Sequence, residues 1–503
     1  MPQNPALTAF SAVYAFGDSL SDAGNLSILT AAAGATQPVS PPYYKQQYSP
    51  ISGNVFSNGP TWAQNLSLAL NLGTLAPSLA GGTDFAYGGA ETGSTPQNGG
   101  DLRIQAISLP AQLGQFKTRV PAPSANALYT VSIGANDLLG ILAKPSLTAQ
   151  QQTADVNAAV ANEIDFVKQL VSNGAKSLLV LDVPDLSKTP NVTLGLVNGS
   201  NVPSAALTAE AAQLTTAYNT ALSSQLAAIA SASAVRIQLV DANASLNTAI
   251  ANPAAYGLTN VTGRVWSGDN TSASSGTLAV SDVAAQNQYL FWDVVHPTET
   301  GHQAIADLAE EQLIGAPVLG VVDTTTGQPV AAQGQPYTGP VGILQQQYIN
   351  ISPNSLNITA ITSNWFIHSG AGEDAIAVSS GANVLDGGGG SNFLTGGSGT
   401  DTFFVDARGA TATTWSTVVN FHTGDAATLW GVTQRDFLLS WSDGAGAVGA
   451  TGLTLTAQGV GRPAVLLTLP GFTQADLTNG RLGVAFGTDV GSASGYLNIR
   501  ANA

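Results

Sequence analysis

The sequence predicts an α/β domain with a parallel sheet, followed by an all-β region. Through the first three hundred residues, short apolar runs alternate with long helical patterns, as in βαβ units whose sheet is covered by helices on both faces. Beyond them, glycine recurs with a nine-residue period that is typical of stacked short strands. We therefore expect a first domain over residues 1–316, an extended connector over 317–365 and an all-β domain over 366–503.

Four apolar runs are the predicted strands of the first domain, at residues 12–16, 128–133, 177–183 and 235–241. Long helical patterns follow at residues 154–173 and 206–230 and in a stretch that ends near 314. Residues 81–90 are predicted to form a short strand that runs into a glycine pair. Ligand sites of parallel sheets lie beyond the carboxyl ends of the strands. The turns at Ser19, Gly88-Gly89 and Asn136 are therefore expected at one edge.

Charge and cysteine content exclude several classes of function. The chain has 31 acidic and 15 basic residues, a formal net charge of −16, which argues against nucleic acids and anionic membrane surfaces as partners. It has no cysteine, which excludes disulfides and cysteine-ligated zinc. No apolar stretch is long enough to span a bilayer, and the first residues lack the basic and apolar regions of a Sec signal.

One turn carries the first candidate for catalysis. The residues Gly17-Asp18-Ser19-Leu20 follow the apolar run at 12–16, and glycine permits a sharp turn there. Such a turn lifts the Ser19 hydroxyl off the end of a strand and places it near a helix N-terminus, where peptide N–H groups face a developing anion. The alternative is that Asp18 and Ser19 only cap a helix.

A second loop offers the partners of a serine nucleophile. Asp293 and His296 are three residues apart, with a proline after the histidine and a helical pattern next. On a tight loop this spacing can bring the carboxylate to the imidazole, so that serine, histidine and aspartate serve as nucleophile, general base and orienting group. His302, on the following helix, is expected to be a partly exposed residue of the helix surface.

Acyl transfer at Ser19 also needs hydrogen-bond donors for the oxyanion that forms on the ester carbonyl. Three candidates follow predicted strands: the backbone N–H of Ser19, a glycine N–H of the Gly88-Gly89 pair, and the side-chain amide of Asn136. Together with the Asp293–His296 loop, these groups are the components that a serine hydrolase requires.

A Pro- and Tyr-rich loop at residues 38–57 has two interpretations. Its aromatic side chains either line a binding cleft or pack a long loop onto the domain. The side chains concerned are Tyr43, Tyr44, Tyr48 and Phe56.

Together these stretches resemble the GDSL (SGNH) family of serine hydrolases. Its Ser, Gly, Asn and Asp-x-x-His blocks correspond to residues 17–20, 85–90, 134–137 and 293–296. The resemblance, over residues 10–315, implies a flavodoxin-like α/β/α three-layer sandwich that needs no cofactor for catalysis. It implies Ser19, Asp293 and His296 as catalytic residues, and Ser19, Gly89 and Asn136 as the oxyanion hole. Asp84 departs from the family, which often has asparagine at that position.

Four nine-residue segments run from residue 369 to residue 404. Their fourth position is glycine, their sixth is aspartate or asparagine, and their eighth is apolar. The side chains at the sixth position are Asp374, Asn383, Asn392 and Asp401, and those at the eighth are Ile376, Leu385, Leu394 and Phe403. Glycine permits a tight turn, the acid or amide offers oxygen ligands, and the apolar residue fills the core of a roll.

This pattern resembles the RTX calcium-binding repeat, which implies a short parallel β-roll and Ca²⁺ at the four sixth-position side chains. Alternate repeats stack in such a roll, so Asp374 would face Asn392 and Asn383 would face Asp401. Each site would hold one carboxylate, and a hard cation prefers charged oxygens, so we expect weak calcium sites. The alternative is a solenoid held by backbone pairing without an ion. The remainder, from residue 417, is expected to be an all-β cap.

These observations predict an extracellular serine esterase that acts on carboxylic esters of lipid, short-chain acyl or acetylated-carbohydrate type. The RTX resemblance also implies a bacterial protein exported by type I secretion machinery. The alternative is a surface-binding or adhesive β-roll protein whose hydrolase domain is vestigial. The presence of all five proposed site residues favours the esterase: Ser19, Gly89, Asn136, Asp293 and His296.

Overall fold

The computed structural model describes residues 10–95, 104–124, 126–233, 235–315 and 318–502. The N-terminal stretch without Sec features lies in residues 1–9, outside these ranges. One compact unit spans residues 6–316, and the other includes residues 317–503.

The first unit is built around a sheet of four parallel strands in the order β1–β4–β5–β6, with two short strand pairs beside it. Its strands are β1 (Ala12–Gly17), β2 (Lys45–Gln47), β3 (Ser52–Asn54), β4 (Ala127–Ser132), β5 (Ser177–Leu181), β6 (Arg236–Val240), β7 (Asn260–Arg264) and β8 (Tyr289–Phe291). Its helices are α1 (Asn25–Ala32), α2 (Trp62–Ala69), α3 (Ile104–Ile107), α4 (Leu109–Arg119), α5 (Ala135–Leu142), α6 (Ala149–Ser172), α7 (Pro190–Thr193), α8 (Ala205–Ala232), α9 (Ala242–Ala251), α10 (Val283–Gln286) and α11 (Glu299–Ile314).

Both faces of the central sheet are buried under helices. Because successive strand residues point to opposite faces, Tyr14 and Phe16 of β1 join an apolar cluster with α4, α5, α6 and α8. Val13 and Ala15 join a second cluster with α2 and α11. The first unit is therefore an α/β/α three-layer sandwich with a parallel sheet, which confirms the predicted fold class.

The register of the sheet places the turns of the predicted site at one edge. Gly17 pairs with Ser132, Ser132 with Leu181, and Leu181 with Val240, each at the carboxyl end of its strand. The residues that follow these strands, Ser19 and Asn136 among them, therefore leave the sheet on the same side.

Residues 81–90 run beside β1 but form an isolated bridge, between Asp84 and Ala15, in place of the predicted short strand. Backbone bonds join the Ala15 N–H to the Thr83 carbonyl (3.2 Å), the Phe85 N–H to the Ala15 carbonyl (2.7 Å) and the Tyr87 N–H to the Gly17 carbonyl (3.1 Å). The two carboxylate oxygens of Asp84 accept the N–H groups of Ala23 (2.7 Å) and Ala86 (2.9 Å). The bond to Ala86, two residues along, is a side-chain turn, so the backbone at Asp84 departs from regular strand geometry.

His302 is fully buried, and the prediction of a partly exposed histidine was wrong. The α11 helix packs against α2, and the His302 side chain lies on that face. Its Nδ1 accepts the backbone N–H of Trp62 at 3.3 Å. Helical periodicity alone did not reveal this contact because α11 is buried along most of its circumference.

The second unit is a roll of two sheets with one short helix, α12 (Gln474–Thr478). Its strands are β9 (Leu319–Asp323), β10 (Gln328–Pro329), β11 (Gln335–Pro336), β12 (Gln346–Ile349), β13 (Leu356–Ser363), β14 (Trp365–His368), β15 (Ala375–Ser380), β16 (Val384–Asp386), β17 (Phe393–Thr395), β18 (Thr402–Asp406), β19 (Thr414–Val419), β20 (Ala426–Trp430), β21 (Phe437–Ala447), β22 (Ala450–Gly459), β23 (Val465–Pro470), β24 (Leu482–Thr488) and β25 (Gly495–Ala501). The C-terminal region is all-β apart from this helix, as predicted.

Successive nine-residue repeats contribute their strands alternately to the two sheets. Strands β13, β15, β17 and β19 are parallel neighbours in one sheet, and β14, β16, β18 and β20 are parallel neighbours in the other. Residues two repeats apart therefore pair directly, as Ile376 does with Leu394 and Leu385 with Phe403. All four of these apolar side chains are buried between the sheets.

The structure differs from the expected connector at residues 317–365. Strand β9 pairs with β13 in one sheet, and β12 pairs with β14 in the other, so this segment extends the roll. Its glycine- and glutamine-rich composition suggested a linker, but Val321, Leu356 and Ile358 are buried in the same core as the repeats. Across the part of the chain that the structure describes, no helix has the length and apolarity needed to cross a membrane.

Candidate active site

The Ser19 turn begins where β1 leaves the sheet. Gly17 has φ of +140°, and a Cβ there would lie 1.9 Å from the Ser132 carbonyl oxygen, so only glycine fits. The Gln112 side chain accepts the Gly17 N–H (2.9 Å) and donates to the Gly17 carbonyl (2.7 Å). The turn is thereby held on both sides, and the buried Ser19 hydroxyl lies just beyond the strand end.

The loop between β8 and α11 brings Asp293 and His296 to Ser19. His296 Nε2 lies 2.8 Å from Ser19 Oγ, and His296 Nδ1 lies 2.7 Å from Asp293 Oδ2. The other carboxylate oxygen, Oδ1, accepts the backbone N–H groups of Val295 (3.0 Å) and His296 (2.9 Å). The three predicted side chains therefore form one continuous hydrogen-bonded line.

Burial raises the pKa of the Asp293 carboxyl, but the neighbouring His296 and the N–H groups that Asp293 accepts outweigh burial and leave that pKa below its ordinary value. Asp293 is thus a carboxylate at neutral pH and below. A charged carboxylate on Nδ1 favours the tautomer whose Nε2 is free to accept a proton from a serine.

Two aromatic residues of the loop at residues 38–57 pack against this line. The Tyr43 hydroxyl donates to Asp293 Oδ2 at 2.7 Å, and the Phe56 ring centroid lies 5.0 Å from that of His296. Both side chains are buried, and both line the cavity that contains Ser19. The bond from Tyr43 to Asp293 was not foreseen, because its two residues are 250 positions apart.

The predicted oxyanion donors line the same cavity as Ser19. Of the glycine pair, Gly88 donates its N–H to Asp22 Oδ2 (2.8 Å). The Gly89 N–H has no acceptor among the described residues and is therefore the one available to a ligand. The Ser19 N–H likewise has no acceptor there. Asn136 lies in the first turn of α5, and its amide donates to the Ala90 carbonyl at 3.0 Å, which leaves its second amide hydrogen for a ligand.

The cavity at Ser19 has a volume of about 610 Å³. Its walls are largely apolar, with a few convergent polar groups near Ser19, as in sites for small organic ligands. The geometry can therefore support nucleophilic attack by Ser19 on a bound carbonyl carbon, with proton transfer to His296.

The sixth-position side chains of the repeats form two ladders. Asn392 Oδ1 accepts the Asp374 N–H at 2.9 Å, and Asp401 Oδ1 accepts the Asn383 N–H at 3.0 Å. Each predicted pair thus lies face to face. In turn, Asp374 Oδ1 accepts the N–H of Leu356 (2.7 Å). The amide and carboxylate oxygens satisfy the backbone of the preceding coil, which would stabilise the roll without an ion.

Comparison with known proteins decides the class of the first unit. The sequence profile of the family described as GDSL-like Lipase/Acylhydrolase matches residues 13–309, more than half of the chain. The chain belongs to this family. It is accordingly a carboxylic ester hydrolase, of the class that the four sequence blocks predicted.

Three relatives illustrate the range of the family. Esterase EstA of Pseudomonas aeruginosa is 31% identical over 62% of this chain but only 48% of its own length. Phosphatidylcholine-sterol acyltransferase of Aeromonas hydrophila is 26% identical over 60% of this chain and 89% of its own length. A GDSL esterase/lipase of Arabidopsis thaliana is 27% identical over 60% of this chain and 86% of its own length.

The second unit carries a family match of its own, the RTX calcium-binding nonapeptide repeat, over residues 368–403. Asp374 Oδ2 is buried without a hydrogen-bond donor among the described residues, and it is the carboxylate oxygen best suited to Ca²⁺. Both oxygens of Asp401 already accept N–H groups, from Asn383 and Gly397. In the described ranges no group of three or more His, Asp or Glu side chains could hold a metal ion. This donor set fits weak calcium binding.

Two buried acids that the sequence analysis did not single out hold the turns of this GDSL site. The Asp22 carboxylate accepts N–H groups of Gly24 (2.7 Å) and Asn25 (2.5 Å) at the start of α1 as well as that of Gly88. Asp137 accepts the Thr92 N–H (3.0 Å) and hydroxyl (2.7 Å). These bonds join the Ser19, Gly89 and Asn136 turns to one another. Asp137 stands within a family block and Asp22 lies two residues after another, so their positions were a signal, although their partners were not predictable.

A third buried acid makes folding stability depend on pH. Glu163 on α6 accepts the Tyr218 hydroxyl at 2.5 Å, and burial raises the pKa of Glu163 from 4.5 to about 8. Between these values the folded protein binds a proton that the unfolded chain releases, so the free energy of unfolding falls as pH rises.

We therefore expect Glu163→Gln, which keeps an acceptor for Tyr218 but cannot ionise, to flatten the decline in Tm between about pH 5 and pH 8. Calorimetric melts of the variant and the wild type across this range measure the effect. Parallel Tm curves would show that Glu163 does not titrate in this window.

Proposed function

We propose that this GDSL hydrolase is a secreted serine esterase in which Ser19 is the nucleophile, His296 the general base and Asp293 the group that orients it. The observation that carries the proposal is the unbroken line from Ser19 Oγ through the His296 ring to Asp293, with contacts of 2.8 and 2.7 Å. Hydrolysis of p-nitrophenyl butyrate by the purified full chain, and its loss after treatment with a serine-directed phosphonate, tests it.

In the first half-reaction, Ser19 Oγ attacks the ester carbonyl carbon while its proton passes to His296 Nε2. The tetrahedral intermediate collapses, the bond to the alcohol oxygen breaks, and the imidazolium returns its proton to that oxygen. In the second half-reaction, water attacks the acyl-Ser19 ester and His296 again takes the proton. The bond from the acyl carbon to Ser19 Oγ then breaks, the imidazolium returns its proton to Oγ, and the carboxylic acid leaves. Asp293 stays charged throughout and stabilises the imidazolium.

Three hydrogen-bond donors are assigned to stabilise the negative charge on the tetrahedral oxygen: the Ser19 N–H, the Gly89 N–H and the Asn136 amide. The turns that carry them are held by bonds within the protein, from Gly17 to Gln112, from Gly88 to Asp22 and from Asn136 to Ala90, so the donors are in place before the reaction. The names of the relatives, an esterase and an acyltransferase, support an acyl-enzyme route.

Removing one oxyanion donor tests the assignment of Asn136. We expect Asn136→Ala to lower kcat by about 10²–10³-fold with little change in KM, because the lost bond strengthens only in the transition state. Steady-state kinetics with one p-nitrophenyl ester give both constants. If Asn136 only ties its turn to the Ala90 carbonyl, the variant would show a lower Tm and full kcat at low temperature.

Secretion is a further part of the proposal. The resemblance to RTX repeats implies export by a type I secretion system. Weak calcium sites are also filled more readily in extracellular fluid than in the cytosol. We also propose that catalysis belongs to the domain at residues 1–316 and that the β-roll serves export, folding or attachment. Export of the full chain from a host with and without a type I secretion system tests the route.

Calcium should stabilise the β-roll without entering the chemistry. With a dissociation constant of about 10⁻⁴–10⁻³ M, about 10 mM Ca²⁺ would add about 1.4–2.7 kcal/mol to the free energy of unfolding. The Tm of the second unit should then rise by roughly 3–10 °C. Calorimetry in calcium and in chelator measures the shift, with Asp374→Asn as the variant that reduces it. Loss of kcat in chelator while the fold is intact would contradict the separation of the two functions.

A further inference from the structure

The cavity at Ser19 continues beyond the reacting groups into the space between α9 and α11. We call this inner part the α9–α11 chamber. Its wall consists of small or aliphatic side chains together with Leu290 of β8. Those on the two helices are Ala242, Ser245, Leu246, Ala249, Ala304 and Ile305.

The spacing of these residues shows that both helices turn one face to the chamber. On α9 the lining residues are separated by three, four and seven positions from Ala242, which is one face of an α-helix. On α11, Ala304 and Ile305 follow Gly301, also in the wall, by three and four positions. The two helices contact each other, and the short side chains of Ala249 on α9 and Ala304 on α11 both border the cavity.

Such a space is unusual inside a folded domain. Protein interiors are packed closely, and an unfilled apolar cavity lowers stability by about 24 cal/mol per Å³. Apolar cavities of this kind stay dry and bind apolar molecules. An apolar chamber that opens onto the Ser19 hydroxyl is therefore suited to a hydrocarbon group attached to the reacting ester.

Resting on the proposed function, we propose that the α9–α11 chamber holds a hydrocarbon chain of the substrate, so that this esterase acts on lipid-like esters in preference to acetylated carbohydrates. An acetyl group would leave the chamber empty. A sugar would need several hydrogen-bond partners, whereas the helix residues of the wall offer only the Ser245 side chain. The chain can belong to the acyl group or to the alcohol, and two ester series distinguish these sources.

The test compares chain-length profiles of the full-length wild type and three variants. Ala249→Leu fills the chamber, and Leu246→Ala enlarges it. Ala244→Leu adds the same side chain as the first variant to the exposed face of α9 and is the matched control. The acyl series runs from p-nitrophenyl acetate to p-nitrophenyl octanoate, and the alcohol series runs from ethyl acetate to octyl acetate.

We expect the wild type to prefer the octanoate or the octyl ester by at least about tenfold in kcat/KM, since each accommodated methylene contributes about tenfold or more. Ala249→Leu should remove most of this preference, with a loss of kcat/KM at least about tenfold greater on the longest ester than on the shortest. Leu246→Ala should move the optimum to longer chains, and Ala244→Leu should match the wild type. If the variants change the chain-length preference in the acyl series, the acyl chain enters the chamber; if they change it in the alcohol series, the alcohol chain does.

Two results would overturn the inference while esterase activity persists. One is an equal loss on short and long esters in Ala249→Leu, and the other is an unchanged profile in Leu246→Ala. If Ala249→Leu fails to fold, Leu246→Ala decides alone. Failure of the wild type to cleave any ester of either series would overturn the proposed function itself, and the inference with it.

Discussion

Replacing Ser19 with alanine is expected to lower kcat by about 10⁶-fold while the fold is unchanged. The side chain lies at the end of β1, and its hydroxyl makes its one described side-chain hydrogen bond to His296 Nε2. Without the hydroxyl no acyl-enzyme can form, and only the rate enhancement from binding and the oxyanion donors remains. Hydrolysis of p-nitrophenyl butyrate, with a thermal melt of the same sample, measures both parts of this expectation.

Ser21 provides the matched control in the same turn. It is buried like Ser19, but its Oγ accepts the Trp62 indole N–H at 3.1 Å and makes no described bond to His296. Ser21→Ala should lower Tm, because it leaves that N–H without its acceptor, and keep kcat within a few-fold of the wild type. Activity in Ser19→Ala equal to that of the wild type would exclude the covalent mechanism.

The second large effect is expected at His296. His296→Ala should cost about as much as Ser19→Ala, and the double variant should be no worse than either, because the two residues act as a unit. His368→Ala in the β-roll is the control with unchanged activity. Additive losses in the double variant would show that His296 and Ser19 act independently.

The pH profile separates His296 from Asp293. In wild type, kcat/KM should fall on acidification because a protonated imidazole cannot accept the Ser19 proton. The pKa of Asp293 lies below its ordinary value, so this carboxylate keeps its charge until lower pH and does not set the acidic limb. Rates measured from about pH 5 to pH 9 test this. A profile that is flat over this range would argue against His296 as the base.

The parts of the first unit that depend on local sequence could be predicted. Apolar runs with helices between them fix a parallel sheet, and the polar turns after the strands then meet at one edge. That is why the turns at Ser19, Gly88-Gly89 and Asn136 could be named as a group, whereas the Asp293–His296 loop was identified from the spacing of its two residues. The family resemblance already favoured Gly89 over Gly88, and the structure adds a physical reason, the bond from the Gly88 N–H to Asp22.

Contacts between distant parts of the chain were not predictable. Tyr43 reaches Asp293 across 250 positions, and His302 is buried because α2 covers it. No local pattern encodes either contact. The same holds for the chamber between α9 and α11, whose small side chains look like ordinary helix residues in the sequence.

In the second unit, the nine-residue period predicted which residues of alternate repeats face each other, because coils of equal length stack in register. Stacking of alternate coils placed Asp374 opposite Asn392, and the structure has this pair. The strands before the repeats were missed because glycine, proline and glutamine surround their few apolar residues. Val321 and Ile358 extend the core only through pairing of β9 with β13.

The measurement that tests the covalent mechanism most directly is the site of labelling by a fluorophosphonate that reacts with activated serines. Tandem mass spectrometry of the labelled full-length protein should locate one adduct, on Ser19, in proportion to the loss of hydrolysis. Ser19→Ala should take up no label, and His296→Ala should take up label far more slowly. An adduct on another serine, or full hydrolysis without an adduct on Ser19, would contradict the mechanism proposed for this GDSL hydrolase.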